Sequence, residues 1–192
     1  MAATATIVRA MSTENYTDGL RLVRTFSDFP REGVTFYDLT PLLSDALHFG
    51  RAMERFARRF SRRQVDYVVS PESRGYMFGA ALAAKIGAGF VPVARYGSLP
   101  YDCVTEECPA GYHHDVDNLK ILSMHKESLR AGSQVLIVDD ILGSGNTALA
   151  CKKLVESQGA EVVEAAFFLE ISSLNGRELL GDVNAHSLMT ME

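Results

Sequence analysis

Val135-Leu-Ile-Val-Asp139-Asp140-Ile141-Leu-Gly143-Ser144-Gly145-Asn146-Thr147 is the stretch that decides the fold. Four apolar residues, three of them β-branched, run into two adjacent carboxylates. An apolar run of this kind reads as a buried strand. Small residues and hydroxyls follow, and then a helix-like stretch from Ala148 to Ser157. In open α/β sheets, ligands sit beyond the carboxyl ends of the strands. A turn of Gly, Ser and Thr at a helix start offers backbone N–H groups and a positive dipole end to a phosphate. Acids beside such a cradle suggest a sugar phosphate, with carboxylates for its hydroxyls or for a divalent metal. The stretch is neither a G-x-x-x-x-G-K-[ST] loop nor the spaced dinucleotide fingerprint. The competing reading is that one acid caps the next helix or a turn.

Working outward, Asp66–Ser70 and Gly89–Val93 read as short strands, Leu119–Met124 as a third, Gln134–Val138 as the strongest, and Val162–Leu169 as another. Helices are expected over Tyr16–Thr25, from Thr40-Pro41 or Ser44-Asp45 through to Phe60, over Met77–Ile86, and between the phosphate turn and Gly159. Phe26–Gly33 is a turn-rich connector. Strands alternating with helices predict an α/β fold with a central parallel sheet. Tyr101–Asn118 mixes Pro, Gly, Cys and acids without periodicity and reads as a long loop or flap. A loop of that length in a compact domain is usually functional or disordered.

Two further turns carry chemistry. Ser70-Pro-Glu72-Ser73-Arg74-Gly75 lies between a strand and a helix, and its Arg and hydroxyl suit an anion. Val91-Pro-Val-Ala94-Arg95-Tyr96-Gly97-Ser98-Leu99-Pro100 adds one more Arg in a Gly/Pro turn.

The 192 residues fit one domain, and 47% hydrophobic content is ample for a core. A net charge of −5 and a pI near 5.6 argue against nucleic acid as the main partner. The basic run Arg51, Arg55, Arg58, Arg59, Arg62 and Arg63 reads as a solvated helix face. No apolar run approaches the ~20 residues of a membrane helix. No signal peptide is recognisable, and three cysteines suit a reducing compartment, so the cytoplasm is expected. Cys103 and Cys108 near His113 and His114 lack the close C-x-x-C spacing of a structural zinc site and read as part of a polar loop.

In this order the turns resemble the type I phosphoribosyltransferases, and within them the adenine-using members. Phe26-Ser-Asp-Phe-Pro-Arg-Glu-Gly-Val-Thr35-Phe36-Tyr37-Asp38-Leu-Thr-Pro-Leu-Leu is similar to the F-P-D-F-P-x-x-G-I-x-F-x-D-I-T-P-L-L of that branch. Glu72–Gly79 matches S-R-G-F-x-F-G, Val135–Thr147 the V-V-V-D-D-L-L-A-T-G-G-T motif for phosphoribosyl diphosphate (PRPP), and Leu169–Arg177 the late L-x-E-L-x-x-L-x-G-R. The resemblance runs from about Leu20 to the C-terminus. It implies one domain over residues 1–192, with a hood or base-binding segment at about 12–40 and a flap at about 101–118. It also implies formation of AMP and pyrophosphate from adenine and PRPP with Mg²⁺, the metal held mainly by PRPP rather than by side chains.

The implied roles follow the motifs. Gly143, Ser144, Gly145, Asn146 and Thr147 take the 5′-phosphate, and Asp139 and Asp140 the ribose hydroxyls. Ser73, Arg74 and Arg95 face pyrophosphate. Thr35, Phe36, Tyr37 and Ile141 hold the purine. A homodimer is implied as well.

The departures are local. The third turn usually reads R-K-x-G-K-L-P, whereas Ala94 and Ser98 here replace two cations. The flap string Y-x-L-E-Y-G, whose Glu is assigned to proton transfer, is absent, leaving Glu106 or Glu107 as candidate acids. Asn146 stands where the phosphate turn usually has Gly. A second reading is therefore a non-catalytic paralogue that binds nucleotide or PRPP, or joins and regulates an active homologue in a hetero-oligomer.

Overall fold

A computed structural model describes residues 16–109 and 120–192. Its elements in chain order are α1 (Thr17–Leu20), β1 (Arg24–Phe26), β2 (Phe36–Asp38), α2 (Thr40–Ser44), α3 (Ala46–Phe60), β3 (Tyr67–Pro71), α4 (Arg74–Ile86), β4 (Gly89–Arg95), β5 (Cys103–Cys108), β6 (Lys120–His125), β7 (Gln134–Leu142), α5 (Asn146–Ser157), β8 (Glu161–Ile171) and β9 (Ala185–Met191). Two short 3-10 turns, Ser172–Leu174 and Glu178–Leu180, link β8 to β9.

Seven strands form the central sheet in the order β5-β6-β4-β3-β7-β8-β9. β4, β3, β7, β8 and β9 run parallel, and β6 joins antiparallel to β4 and to β5. The expected α/β architecture is therefore present, with a parallel centre and one antiparallel edge. The sheet is covered on both faces because the side chains of its middle strand alternate. Val135 and Ile137 of β7 join a core with Ala148, Cys151, Leu154 and Val155 of α5. Leu136 and Val138 join a second core with Phe56 and Phe60 of α3 and Phe78 and Leu82 of α4. At about 25 cal/mol per Å², two apolar layers of this kind are the main stabilising term.

Several expectations need correction. The helix expected over Tyr16–Thr25 stops at Leu20, and Arg24–Phe26 instead pairs antiparallel with β2. A 2.5 Å bridge from Arg24 to Asp38 fastens that pairing, a tertiary contact that overrides local helix preference. The two proposed helix starts are both used. Pro41 sits in the first turn of α2, and the Asp45 carboxylate accepts from the His48 N–H at 2.9 Å to begin α3. The first half of the expected 101–118 loop is strand β5, paired residue by residue with β6 from Cys103↔His125 to Cys108↔Lys120. Residues 110–119, including His113 and His114, lie outside the described residues. The basic run is only partly a solvated face: Arg59 and Arg63 hold the buried Glu164 of β8 at 2.5 and 2.6 Å. Among the described residues, no helix is long and apolar enough to cross a membrane.

Candidate active site

The cleft arises where β7 outruns its neighbour. β3 pairs with β7 only from Tyr67↔Val135 to Val69↔Ile137, whereas β8 stays paired as far as Leu142↔Glu170. The expected end of the strand at Val138 is thus four residues short, and both acids stand inside β7. Beyond Ile137, α4 begins where β3 would have continued. This is also the point at which connections diverge, β3 leading to β4 on one side and β7 to β8 on the other, the usual position for a ligand in such a sheet.

The cleft measures about 180 Å³ and is lined by Glu72, Ser73, Arg74 and Arg95 on one wall, by Asp139 through Ala148 along the floor, and by Cys108, Lys120 and Leu122 of the β5–β6 hairpin and Phe167 of β8. The second and third turns are laced together. The Glu72 N–H donates to the Val93 carbonyl at 2.8 Å, and its carboxylate accepts from the Arg95 N–H at 3.1 Å. Arg74 opens α4 with Ser73 as its N-cap.

The phosphate turn is held by backbone packing. Gly145 is left-handed (φ 84°) and forms the N-cap of the 12-residue α5. A Cβ there would overlap the Gly176 carbonyl oxygen, and a Cβ on Gly176 would overlap the Gly143 carbonyl oxygen and lie 2.9 Å from the Gly145 nitrogen. The two backbones therefore touch where neither can carry a side chain, which explains the Gly of the late Asn175-Gly176-Arg177 motif. Arg177 anchors that segment with a fork of two 2.5 Å bonds to Glu170 and a third to the Ala185 carbonyl. Burial pushes the Glu170 carboxyl up, but the Arg177 fork and Ser187 outweigh it and hold the group below its ordinary value. The first N–H groups of α5 have no intrahelical acceptor, and Gly145 to Ala148 line the cleft, so a phosphate bound there would complete them.

The charges are arranged in opposition. Arg74 donates through Nε to Asp140. Asp139 keeps some surface open to the cleft, but its carboxyl is ringed by protein. Burial first, and the Asp140 carboxylate second, push it well above the usual carboxylate range. Burial, followed by the neighbouring Arg95 and Arg74, pushes the Lys120 ammonium below its ordinary value. Cys108 faces Thr147 with 3.9 Å between Sγ and Oγ1, and burial pushes its thiol up. Among the described residues no cluster of three or more His, Cys, Asp and Glu could hold a metal.

Of the site residues expected from sequence, Ser73, Arg74, Arg95, Asp139, Asp140, Ile141, Gly143, Ser144, Gly145, Asn146 and Thr147 all line this one cleft. Phe36 adjoins it through Arg74, whose guanidinium carbon lies 5.3 Å from the ring centroid. Thr35 and Tyr37 do not line the enclosed cleft, and Tyr37 packs instead against the α3–α4 core. Neither candidate flap acid enters it. Glu106 is bonded to Lys153 of α5 at 2.6 Å and Glu107 is exposed. Sequence reasoning missed Lys120 and Cys108. They reach the cleft only through the β5–β6 register, which the unperiodic 101–118 stretch concealed.

Comparison with known proteins identifies the family. The profile of the phosphoribosyl transferase domain matches residues 43–186. The chain is 42% identical to the adenine phosphoribosyltransferase of Thermosipho africanus over 169 residues, covering 88% of this chain and 96% of that one. The crystal structure of the adenine phosphoribosyltransferase of Thermoanaerobacter pseudethanolicus superposes with a TM-score of 0.85 at 37% identity, covering 91% of this chain and 99% of that one. The Saccharomyces cerevisiae enzyme, solved with adenine and an imino-altritol bisphosphate, superposes with a TM-score of 0.82 at 32% identity, covering 90% and 97%. The chain belongs to the type I phosphoribosyltransferase family, in the adenine phosphoribosyltransferase branch.

Proposed function

We propose that this chain makes AMP and pyrophosphate from adenine and PRPP. The observation that carries the reading is the single cleft in which the Gly143–Thr147 turn, the Asp139–Asp140 pair and the Arg74–Arg95 wall face one another. A ribose 5-phosphate would place its phosphate on the N-terminus of α5 and its hydroxyls on the acids. The diphosphate on C1 would then lie toward Arg74 and Arg95. The base would stand at the mouth, against Ile141 and the Phe36 ring, with Thr35 and Tyr37 beside it.

In the reaction, adenine N9 forms a bond to C1 as the C1–oxygen bond to diphosphate breaks. The bonding pair leaves with the diphosphate, and the N9 proton passes to solvent. Positive charge builds on the ribose ring, where the Asp139–Asp140 pair stabilises it. Negative charge builds on the leaving group, where the arginines stabilise it. Donors fixed before the reaction cost no reorganisation during it.

Mg²⁺ fits this cleft as an ion brought in on the substrate. A hard dication takes oxygen ligands and keeps several waters, needing one or two carboxylates beside substrate phosphates, and Asp139 and Asp140 are the carboxylates at hand. Bound there, it would neutralise charge on the diphosphate. Homodimerisation and a cytoplasmic location complete the proposal, supported by the family resemblance and by three free cysteines. Light scattering on the purified chain tests the dimer.

The deciding assay is AMP formation from adenine and PRPP with and without Mg²⁺, in the wild type and in Asp140→Asn. Asp140→Asn removes one charge and leaves Arg74 without its carboxylate. It is expected to lower kcat/KM by about 10²-fold or more, the scale of losing one preorganised charged contact. Absence of turnover by the wild type, or full turnover by Asp140→Asn, would overturn the reading.

A further inference from the structure

We propose that Lys120 binds the diphosphate group of PRPP and of product pyrophosphate, supplying from β6 the positive charge that positions 94 and 98 lack. The inference deepens the function proposed above and rests on it. Ala94 is buried in β4, and Ser98 is exposed on the turn beyond it, and neither lines the cleft. Lys120 does line it. Its neighbour on the same face of β6, Leu122, lines it too, as the two-residue period of a strand requires.

Three observations place the ammonium at the diphosphate end. Arg95 and Arg74, the two cations of that wall, are its close electrostatic neighbours. Among the described residues no carboxylate forms an ion pair with it. It is half-buried, and a half-buried lysine with two arginines beside it and no acid paired to it among the described residues is repelled unless an anion joins the group. Diphosphate carries several negative charges and is the part of the substrate that this wall receives. Arg74, moreover, is already bonded to Asp140, so among the described residues Arg95 and Lys120 are the cations of the wall without a carboxylate on their side chains. Lys120 also stands opposite Cys108, which touches Thr147 of the phosphate turn, so the 5′-phosphate is the competing contact that a test must separate.

The test uses the full chain with Lys120→Met, Lys120→Arg and the double variant Lys120→Met/Ser98→Lys. Titration calorimetry with inorganic pyrophosphate plus Mg²⁺, and separately with AMP, reads the two ends of the site. KM for PRPP and for adenine reads turnover. Lys120→Met is expected to weaken pyrophosphate binding and raise the PRPP KM at least about tenfold, the usual scale for a charge-assisted contact. AMP affinity and adenine KM should stay within about twofold. Lys120→Arg should retain binding, and Ser98→Lys should restore part of what Lys120→Met loses.

The pH dependence gives a signature that a structural role would not. As pH rises through the lowered pKa of Lys120, wild-type pyrophosphate affinity should fall, and Lys120→Arg should abolish that limb. The titratable and charged groups that line the cleft with Lys120 are Glu72, Arg74, Arg95, Cys108, Asp139 and Asp140, all present in both proteins, and of these Arg95, Cys108 and Arg74 act on it most directly. Pyrophosphate affinity of Lys120→Met within about twofold of wild type overturns the proposal, as does an equal loss of AMP affinity. A wild type that binds PRPP but forms no AMP would refute turnover alone, and the Lys120→Met titration would still decide the role of Lys120. A wild type that binds neither PRPP nor pyrophosphate refutes both.

Discussion

Gly176→Ala should damage PRPP binding from outside the cleft, because its methyl would enter the contact that holds the phosphate turn. The backbone at Gly176 is not in the left-handed region, so alanine is conformationally acceptable there. By restricting the unfolded chain, such a change would by itself stabilise by about 0.4–1 kcal/mol. Against that, the new Cβ would overlap the Gly143 carbonyl oxygen and lie 2.9 Å from the Gly145 nitrogen and 3.0 Å from Leu142 Cδ1. Two of those three neighbours are backbone and cannot rotate away. Overpacking of this kind costs about 1–3 kcal/mol. The net loss is therefore between about 0 and 2.6 kcal/mol, or up to roughly 10 °C in Tm for a chain of this size. The displaced atoms belong to the turn proposed to receive the 5′-phosphate. Losing one charge-assisted contact there corresponds to a rise of about tenfold or more in PRPP KM.

Two other glycines separate the causes. Gly145→Ala meets the same contact from the other side and adds a left-handed φ of 84°, so it should be worse by about 1–2 kcal/mol. Gly87→Ala, at the C-cap of α4 with φ 75° and open space around it, carries the conformational cost alone and should leave the PRPP KM unchanged. Thermal unfolding and steady-state AMP formation measure all three. Wild-type Tm and PRPP KM in Gly176→Ala would refute the argument. So would an equal KM effect in Gly87→Ala, which would make the loss a general consequence of destabilisation.

Asp139→Asn should trade activity for stability. It removes a carboxyl that burial and Asp140 push above its ordinary range, and it keeps an oxygen for the 2.8 Å bond from the Asp140 N–H. The expected gain is about 0.5–2 kcal/mol at pH 8 with AMP formation reduced tenfold or more. Because the folded pKa is raised, wild type recovers stability as pH falls through it, so Tm curves against pH should converge in acid; a variant less stable than wild type at pH 8 would contradict this. His186 is held down to about 4, by burial first and then by Arg59 and Arg177, so the folded protein resists its protonation while the unfolded chain accepts it below about 6.5. Stability should therefore fall between about pH 6.5 and 4, by about 1–2 kcal/mol once partial exposure is allowed for, and His186→Phe should flatten that limb in urea titrations. Arg177→Met leaves the buried Glu170 without its fork and should cost about 2–4 kcal/mol. Arg177→Met/Glu170→Met should recover much of it, and a double variant no better than the single one would show that the ion pair is not what matters.

The parts of the site that were legible in the sequence are those made of consecutive residues. Val135–Thr147 shows a strand, two acids, a turn and a helix in one line, and the structure assembles them in that order. Phe26–Ile86 was legible where a cap or periodic apolar face announces an element, as at Asp45 and along Met53, Phe56 and Phe60. Short strands at the margins were not. β1 and β2 have three residues each and exist through pairing with one another. β5 reads Cys-Val-Thr-Glu-Glu-Cys, whose acids disguise an edge strand. β9 completes the sheet only because β8 offers it an open edge. Lys120 was illegible for a related reason: its meaning comes from a register across two strands.

The adjacent acids show how one pair of residues can meet a structural and a chemical requirement together. Past Ile137, β7 loses β3, and the strand would expose backbone N–H groups toward a cleft. Each acid meets the backbone of the next residue: Asp139 Oδ1 accepts from the Asp140 N–H at 2.8 Å, and Asp140 Oδ1 accepts from the Ile141 N–H at 2.9 Å. The other reading of the sequence, an acid capping the next helix or a turn, does not hold: Gly145 is the N-cap of α5, and both acids bond backbone within β7. The two roles do not compete, because a carboxylate offers about four acceptor sites. The second oxygen of Asp140 meets Arg74. A ribose hydroxyl can take sites that remain, and a diphosphate can draw on the outer face of the same guanidinium. The pairing of Arg74 with Asp140 then presents both groups at fixed positions before any ligand arrives, which is the condition under which charge stabilisation contributes most to a reaction with a cationic sugar and an anionic leaving group.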